Sequence, residues 1–364
     1  MKGKKTLIIF SIVFFFISIF SVNAVSFSSS YFNYIKLINI TTSEALTDYP
    51  LLLNVTKETA MEDDYSDIKM YDGSGNPLSF FVENYTTSRA WVWVKGDYDT
   101  SNNVEIVMYY DNSQYNNTDS DSDVNDVFGE NLIAAWFCNE GSGGKCKNYA
   151  EDDIQEFGDV IVSAAYCSIS WENGRRGHSL KITDFDGSNH CWVYAENDWN
   201  IDDNQELSSM SVTKSENTGD GVSKHNTMVL RGNDLLWHFP YRSDDTVDFN
   251  IKKDPGTWVD VGTFSVTDDT WAQFGGTYDS STFRGFKDDG ATQTDSGAGM
   301  VDGTGTAFIK GNLNAGTVAL YGSMGLVWNT QVSDSLIKNM WTDTVPTKTF
   351  GEEEVGNVAP TVNI

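Results

Sequence analysis

From Phe32 to Tyr110, apolar residues either alternate with polar ones or gather into runs of strand length. The runs read YFNYIKLINIT, YPLLLNVT, IKMYD, LSFFVENY, RAWVWVKGDY and NVEIVMYYDN. Turn formers such as Asp72-Gly73-Ser74-Gly75-Asn76-Pro77 break them apart. A period of two sends successive side chains to opposite faces of a sheet, whereas a helix repeats about every 3.6 residues. No segment here sustains the helical period. A series of short strands of this kind predicts a small antiparallel sandwich over residues 25–115.

The next stretch, NSQYNNTDSDSDVNDVFGE, is too hydrophilic for a core and rich in turn formers, so 116–130 is expected to be an acidic linker. Strand patterning resumes in NLIAAWFC, where Leu132, Ala134, Trp136 and Cys138 share one side. In TWAQFGGTYD, Ala272, Phe274, Gly276 and Tyr278 share one face while Trp271, Gln273 and Gly275 share the other. SST makes a short connection, FRGFK returns as the partner strand, and Asp288-Asp289-Gly290 supplies the following turn. Val332-Ser333-Asp334 reads as a helix start with Ser333 as cap before DSLIKNMW, the one clear helix expected in the mature chain. A second, larger sandwich is therefore predicted over 131–350, with 351–364 as a linker to a possible further immunoglobulin-like domain. The fold class expected is all-β.

Lys2, Lys4 and Lys5 precede an apolar run from Leu7 to Phe20, and Val22-Asn23-Ala24 ends in a small residue. This is the pattern of a signal peptide over 1–24, too short in its apolar run for a comfortable spanning helix. No membrane insertion is expected after cleavage before Val25, and a secreted or cell-surface location follows. No cysteine precedes Cys138, which excludes a lipid-anchored lipoprotein. The 364 residues carry a net charge of −28, a surface that repels nucleic-acid phosphates and anionic membranes.

Export changes how the cysteines read. Cys138, Cys146, Cys167 and Cys191 form an even, clustered set compatible with two disulfides, and the shortest loops pair Cys138 with Cys146 and Cys167 with Cys191. Neither the CxxC nor the paired-His spacing of a zinc site occurs. Asn39, Asn54, Asn84 and Asn116 head N-glycosylation sequons. Asp119, Asp121, Asp123 and Glu130 fall at the first, third, fifth and twelfth positions of a calcium loop. Val124 stands where such a loop needs glycine for its sharp turn, so a solvated linker is the expectation and calcium the alternative.

Candidate catalytic chemistry is sparse. Glu151, Asp153 and Glu156 in EDDIQE match the spacing of a glycosidase strand whose acids supply nucleophile and acid/base. The intervening Asp152, Ile154 and Gln155 are too polar for a central strand behind a cleft, and a solvated acidic loop is the expectation. No Gly-x-Ser-x-Gly elbow or phosphate-binding glycine loop is present.

The first segment resembles an uncharacterised domain of bacterial and archaeal exported surface proteins, through LTDYPLLLNV, YSDIKMYDGSGNPLSFFVEN, AWVWVKG and VEIVMYYDN in order. That resemblance implies a fold and a setting but no chemistry. The second segment carries NLIAAWFCNEGSGG, WENGRRGHSLKITDFDGSN, ELSSMSVTKSENTG, TWAQFGGTYDSSTFRGFKDDG and ALYGSMGLVWNTQVSDSLIKNMW. In this order they resemble the laminin-G-like branch of the concanavalin A-like lectin/glucanase superfamily, which implies two sheets packed as a jelly roll. MGLVWN lacks the acid and arginine of the family's last strand, and KCKNYAEDD replaces its Asp-x-Ser-Gly loop, with Asn148 near the usual Asp. In many members of that superfamily acids around these loops hold calcium, and both departures weaken what the resemblance implies about a metal here. The terminal EEEVGNVAPTVNI looks like the lead-in to an immunoglobulin-like repeat.

Binding chemistry remains. Trp192, Trp199, Trp237 and Trp258 each sit among polar neighbours, where an indole could stack on the apolar face of a sugar. The reading is a non-catalytic surface protein that recognises glycans or surface proteins through its lectin-like module. The alternatives are a structural coat or stalk component without a small ligand, and a glycoside hydrolase using the acids near Glu151.

Overall fold

The computed structural model describes residues 32–100, 104–111, 123–150, 160–161, 168–183, 191–195, 200–201, 206–216, 226–231, 235–242, 244–253, 256–297, 303–304, 306–311, 319–341 and 347–355. The first module holds β1 (Tyr34–Thr41), β2 (Leu46–Thr56), β3 (Lys69–Asp72), β4 (Phe80–Tyr85), β5 (Arg89–Tyr98) and β6 (Val104–Tyr110), followed by helix α1 (Val124–Phe128). The second begins with β7 (Leu132–Trp136), β8 (Lys145–Cys146), β9 (Val160–Ile161), β10 (Ser168–Gly174), β11 (Gly177–Thr183), β12 (Cys191–Ala195) and β13 (Asn200–Ile201). It continues with β14 (Leu207–Ser215), β15 (Asn226–Arg231), β16 (Leu235–Pro240), β17 (Thr246–Lys253), β18 (Thr257–Ser265), β19 (Ala272–Tyr278) and β20 (Thr282–Lys287). The last elements are β21 (Gln293–Ser296), β22 (Gly303–Thr304), β23 (Thr306–Gly311), β24 (Leu320–Trp328), α2 (Asp334–Trp341) and β25 (Thr347–Val355). The protein is all-β apart from two short helices among the described residues.

In the first module, sheets ordered β2-β5-β4 and β25-β1-β6-β3 face each other. Ile38, Ile40, Leu51, Leu53, Val92, Val94 and Met108 fill the space between them. In the second, a near sheet ordered β10-β11-β24-β14-β19-β20-β21, with β7 also on β24, faces a far sheet ordered β18-β17-β16-β15-β23-β12-β9-β8. Every adjacent pair among the described strands is antiparallel. Phe274, Tyr278, Trp237, Phe239 and Phe249 are among the fully buried residues between the sheets. Bulky rings from the far sheet need matching hollows in the near one. A Cβ on Gly276 would stand 2.5 Å from the Trp237 ring, and one on Gly285 would stand 2.4 Å from that of Phe249.

The central strands of the near sheet, β14, β19 and β24, are buried on both sides. On β14, Leu207 and the small polar Ser209, Ser211 and Thr213 face the far sheet, where Ser209 Oγ accepts Trp237 Nε1 at 2.9 Å and Thr213 meets Tyr241 OH at 3.1 Å. Met210 and Val212 point the other way, into a third core shared with the first module. Phe286, Met324, Leu326, Trp328, Ile337 and Met340 join them there, against Leu52, Phe81 and Trp93. Helix α1 is wedged into this joint. Its Phe128 ring lies 5.1 Å from that of Trp93, and its carbonyl accepts Trp328 Nε1 at 3.0 Å.

A buried polar cluster closes the joint. Glu83 Oε2 accepts Trp93 Nε1 at 2.7 Å and Arg176 Nη1 at 3.3 Å, both side chains of the ion pair being buried. The Arg176 guanidinium also lies 5.0 Å from the Trp93 ring centroid. Burial pushes the Glu83 carboxyl above its ordinary range, with the Arg176 charge opposing that shift. The Gly-Arg-Arg-Gly turn between β10 and β11, read above as a family signature, therefore anchors one module to the other.

Three expectations need correction. Residues 116–130 are not all linker, because Val124, Val127 and Phe128 at helical spacing bury themselves in the joint and make α1. A five-residue helix is too short to announce itself by periodicity, so the reading of a single helix missed it. The segment 351–364 is not linker from its start, since β25 pairs with β1 from Thr41↔Thr347 to Tyr34↔Val355. The second sandwich thus ends at α2, and residues 347–355 belong to the first. Glu352, Glu353 and Glu354 read as solvated linker in sequence, but charged residues are well suited to an edge strand. Ser333 does cap α2, its Oγ accepting Leu336 N at 3.2 Å.

Candidate functional site

The outer side of the far sheet, away from the first module, is built from the alternation of β16, β17 and β18. Trp237 and Phe239 point inward, so His238 points out. Val247, Phe249 and Ile251 point inward, so Asp248, Asn250 and Lys252 point out. On β18 a register shift opposite Phe249 and Asn250 lets Val261 turn in while Trp258 and Asp260 stay out. Cross-strand pairing then sets His238 beside Asn250, Asn250 beside Asp260, and Lys252 beside Trp258.

Trp258 is 46% exposed, one of two large hydrophobic residues left open among those described. The His238 ring packs 5.3 Å from its indole, and Lys252 Nζ lies 5.9 Å from its centroid. Asp248 is buried, accepts Thr263 Oγ1 at 2.8 Å and forms an ion pair with Arg242. The exposed Asp260 carboxyl is held above the ordinary carboxylate range, first by desolvation among its neighbours and then by the Asp248 charge. An open indole ringed by carboxylates, an amide and cations can stack on an apolar ring face while gripping hydroxyls around it.

The remaining sequence candidates separate. Trp237 is core, not platform: it is fully buried, with its ring 4.8 Å from Phe249. Its polar neighbour His238 misled because adjacent strand residues face opposite ways. Trp192 lies on β12, but only its backbone is described, and Trp199 lies outside the described residues. Glu151, Asp153 and Glu156 also lie outside them. Of the calcium pattern, Asp119 and Asp121 lie outside. Asp123 caps α1 by accepting Asn125 N, and Glu130 is exposed beyond the helix. Helix α1 occupies the sixth to tenth positions of that pattern, so its described half is helix and not open loop.

Cys138 and Cys146 are disulfide-bonded, with Cα atoms 4.9 Å apart. Cys167 lies outside the described residues, and only the backbone of Cys191 is described. Of the sequons, Asn54 is exposed and Asn39 half-buried, while Asn116 lies outside. Asn84 cannot carry a glycan in this arrangement, because its Nδ2 donates to the Arg176 carbonyl at 3.3 Å and abuts Gly177 across the joint.

A cleft of about 450 Å³ in the first module is lined by Asp48, Asp72, Asp97, Asp126, Lys95 and Tyr98. Its acids work locally: Asp72 accepts Ser74 N and Asn76 N, Asp97 accepts Asp48 N, and Asp48 lies 3.5 Å from Lys95. Sequence reasoning missed this cleft, whose named residues come from β2, β3, β5 and α1. It also missed Asp260 on β18, and Asp248 and Asn250 on β17, although TVDFNIKK alternates cleanly enough to mark a polar face.

A family described as a domain of unknown function (DUF2341) matches residues 64–132, from the approach to β3 through α1 to the start of β7. No curated protein matches the chain. Among solved structures, the binding domain of Paraclostridial Mosquitocidal Protein 1 is similar with a TM-score of 0.44 and 10% identity over 59% of this chain and 52% of its own. The botulinum neurotoxin serotype G binding domain gives 0.41 and 8% identity over 58% and 50%. Domain 4 of AbnA, a GH43 extracellular arabinanase from Geobacillus stearothermophilus in complex with arabinotriose, gives 0.37 and 11% identity over 58% and 98%. The match spans about half the length of the two toxin domains.

Proposed function

We propose that this chain is an exported, non-catalytic surface protein whose second module recognises glycans through the face around Trp258. We assign that module to the laminin-G-like branch of the concanavalin A-like superfamily on the ordered motifs quoted above. The observation that carries the reading is the exposed Trp258 indole flanked by His238, Asn250, Lys252 and Asp260 on a face turned away from the first module. Carbohydrate rings offer apolar C–H faces and a rim of hydroxyls, and this face offers the complement. The first module acts as a presenting domain, fixed to the second by the shared core. Screening the full chain and Trp258→Ala on a glycan array tests the reading: wild-type binding that the variant loses supports it, and a signal equal in both removes it.

A second reading, a structural coat or stalk component with no small ligand, draws support from the shared core and from β25 returning to the first sheet. Both make the two modules one stiff body. A folded wild-type chain silent on the array favours it. Turnover of a β-glucan that Glu151→Gln abolishes would instead establish a hydrolase.

A further inference from the structure

Resting on that reading, we infer that the Trp258 face selects neutral hexopyranose residues over sugars that carry a carboxylate. One pair of opposite charges beside the face is already matched. Arg242 pairs through its Nε with buried Asp248, so the cation beside this row already faces a carboxylate. The ammonium of Lys252 stands near the indole, but the outward carboxylate nearest Trp258 along the strand is Asp260, exposed and held in place by Gly262 N and Thr263.

Trp258 and Asp260 are two residues apart on one face of β18, hence about 6.5–7 Å apart along the strand. That is about the span of a pyranose ring with one hydroxyl. A ring stacked on Trp258 therefore reaches the Asp260 carboxylate and its cross-strand neighbour Asn250, acceptors suited to hydroxyl donors. A carboxylate in the same position would instead face Asp260 with Asp248 behind it, in the field of a chain of net charge −28. Like-charge juxtaposition is a standard route to excluding the wrong ligand.

The test is calorimetric titration of the full chain with glucose, galactose and mannose oligosaccharides, each against its counterpart oxidised at C6 to the uronic acid. At least one hexose series is expected to bind, with its acid counterpart about tenfold weaker or more. Asp260→Asn, a near-isosteric change on an exposed site, is expected to lower hexose affinity about three- to tenfold and to narrow the gap to the acid. Acid counterparts binding as tightly as the hexoses, or more tightly, overturn the selectivity while leaving glycan recognition standing. No binding to either series by a chain whose circular dichroism shows it folded overturns both, as does binding that Trp258→Ala leaves unchanged.

Discussion

The two outer faces of the second sandwich have opposite fates. On the near sheet, Met210, Val212, Met324, Leu326 and Trp328 are buried against the first module, so that face is a second core. On the far sheet, the equivalent positions of β16–β18 hold His238, Asp248, Asn250, Lys252, Trp258 and Asp260, with one indole left open. An apolar outer face requires a cover, and here the cover is the first module with α1 and α2. A polar outer face with a single exposed aromatic needs no apolar cover, although His238 and Asp248 are buried among their neighbours on it. The comparison explains why a module of no evident chemistry sits ahead of the second: it stabilises one face and leaves the other turned outward.

Breaking the joint gives the largest effect. Arg176→Ala leaves Glu83 buried without its cation and is expected to destabilise the chain by about 3–5 kcal/mol. The paired replacement of Glu83 by Leu and Arg176 by Met is expected to recover most of that loss, because it removes both charges together. Denaturant unfolding of the three chains checks this. If Arg176→Ala unfolds like wild type, the joint is not sealed as described.

Overfilling the inner core comes next. Gly276→Val pushes a branched side chain into the Trp237 ring and is expected to cost about 1–3 kcal/mol or more, read as a lowered Tm. Trp258→Ala, on the open face, is expected to change stability by no more than about 0.5 kcal/mol even though it removes the same kind of ring. A large Tm loss in that variant would mean that Trp258 is core after all.

The smallest effect probes the β19–β20 turn. Asp279 accepts Ser281 N and Thr282 N at 3.0 and 2.8 Å, and bonds to the Ser281 hydroxyl and Arg284 hold its carboxyl below the ordinary carboxylate range. A group whose pKa is lowered by folding stabilises the protein above its unfolded pKa, and that contribution fades as pH falls toward the folded value. Asp279→Asn is thus expected to cost about 0.5–1 kcal/mol near neutrality, with the gap to wild type closing below about pH 4. Paired thermal scans from pH 7 to pH 3 read it directly. A gap that widens on acidification contradicts the assignment.

Much of the fold was legible because strand periodicity is local. The β19–β20 hairpin, its split of faces and the Ser333 cap all follow from residues within a few positions of one another. What periodicity leaves undecided is which of two faces is covered by something distant. In β14 the serines face the sandwich core and the methionine faces the joint, the reverse of a polar-out reading, because Trp237 and Tyr241 bring their own polar atoms inward. Strand β25 and helix α1 escaped for a related reason, since their partners lie far away in sequence. In the candidate site, Trp258 was recoverable from its polar neighbours, but Trp237 satisfied the same rule and is core. Only pairing across β16, β17 and β18 separates the two.

The central claim, one face sealed and the other available, is tested most directly by hydroxyl-radical footprinting of tryptophans in the full chain, with and without a saccharide found on the array. Trp258 is expected to react readily in the free chain and to be protected by the sugar, while Trp93 and Trp328 stay protected in both states. Trp93 or Trp328 reacting as fast as Trp258 in the free chain, or Trp258 indifferent to a sugar that binds, would contradict it.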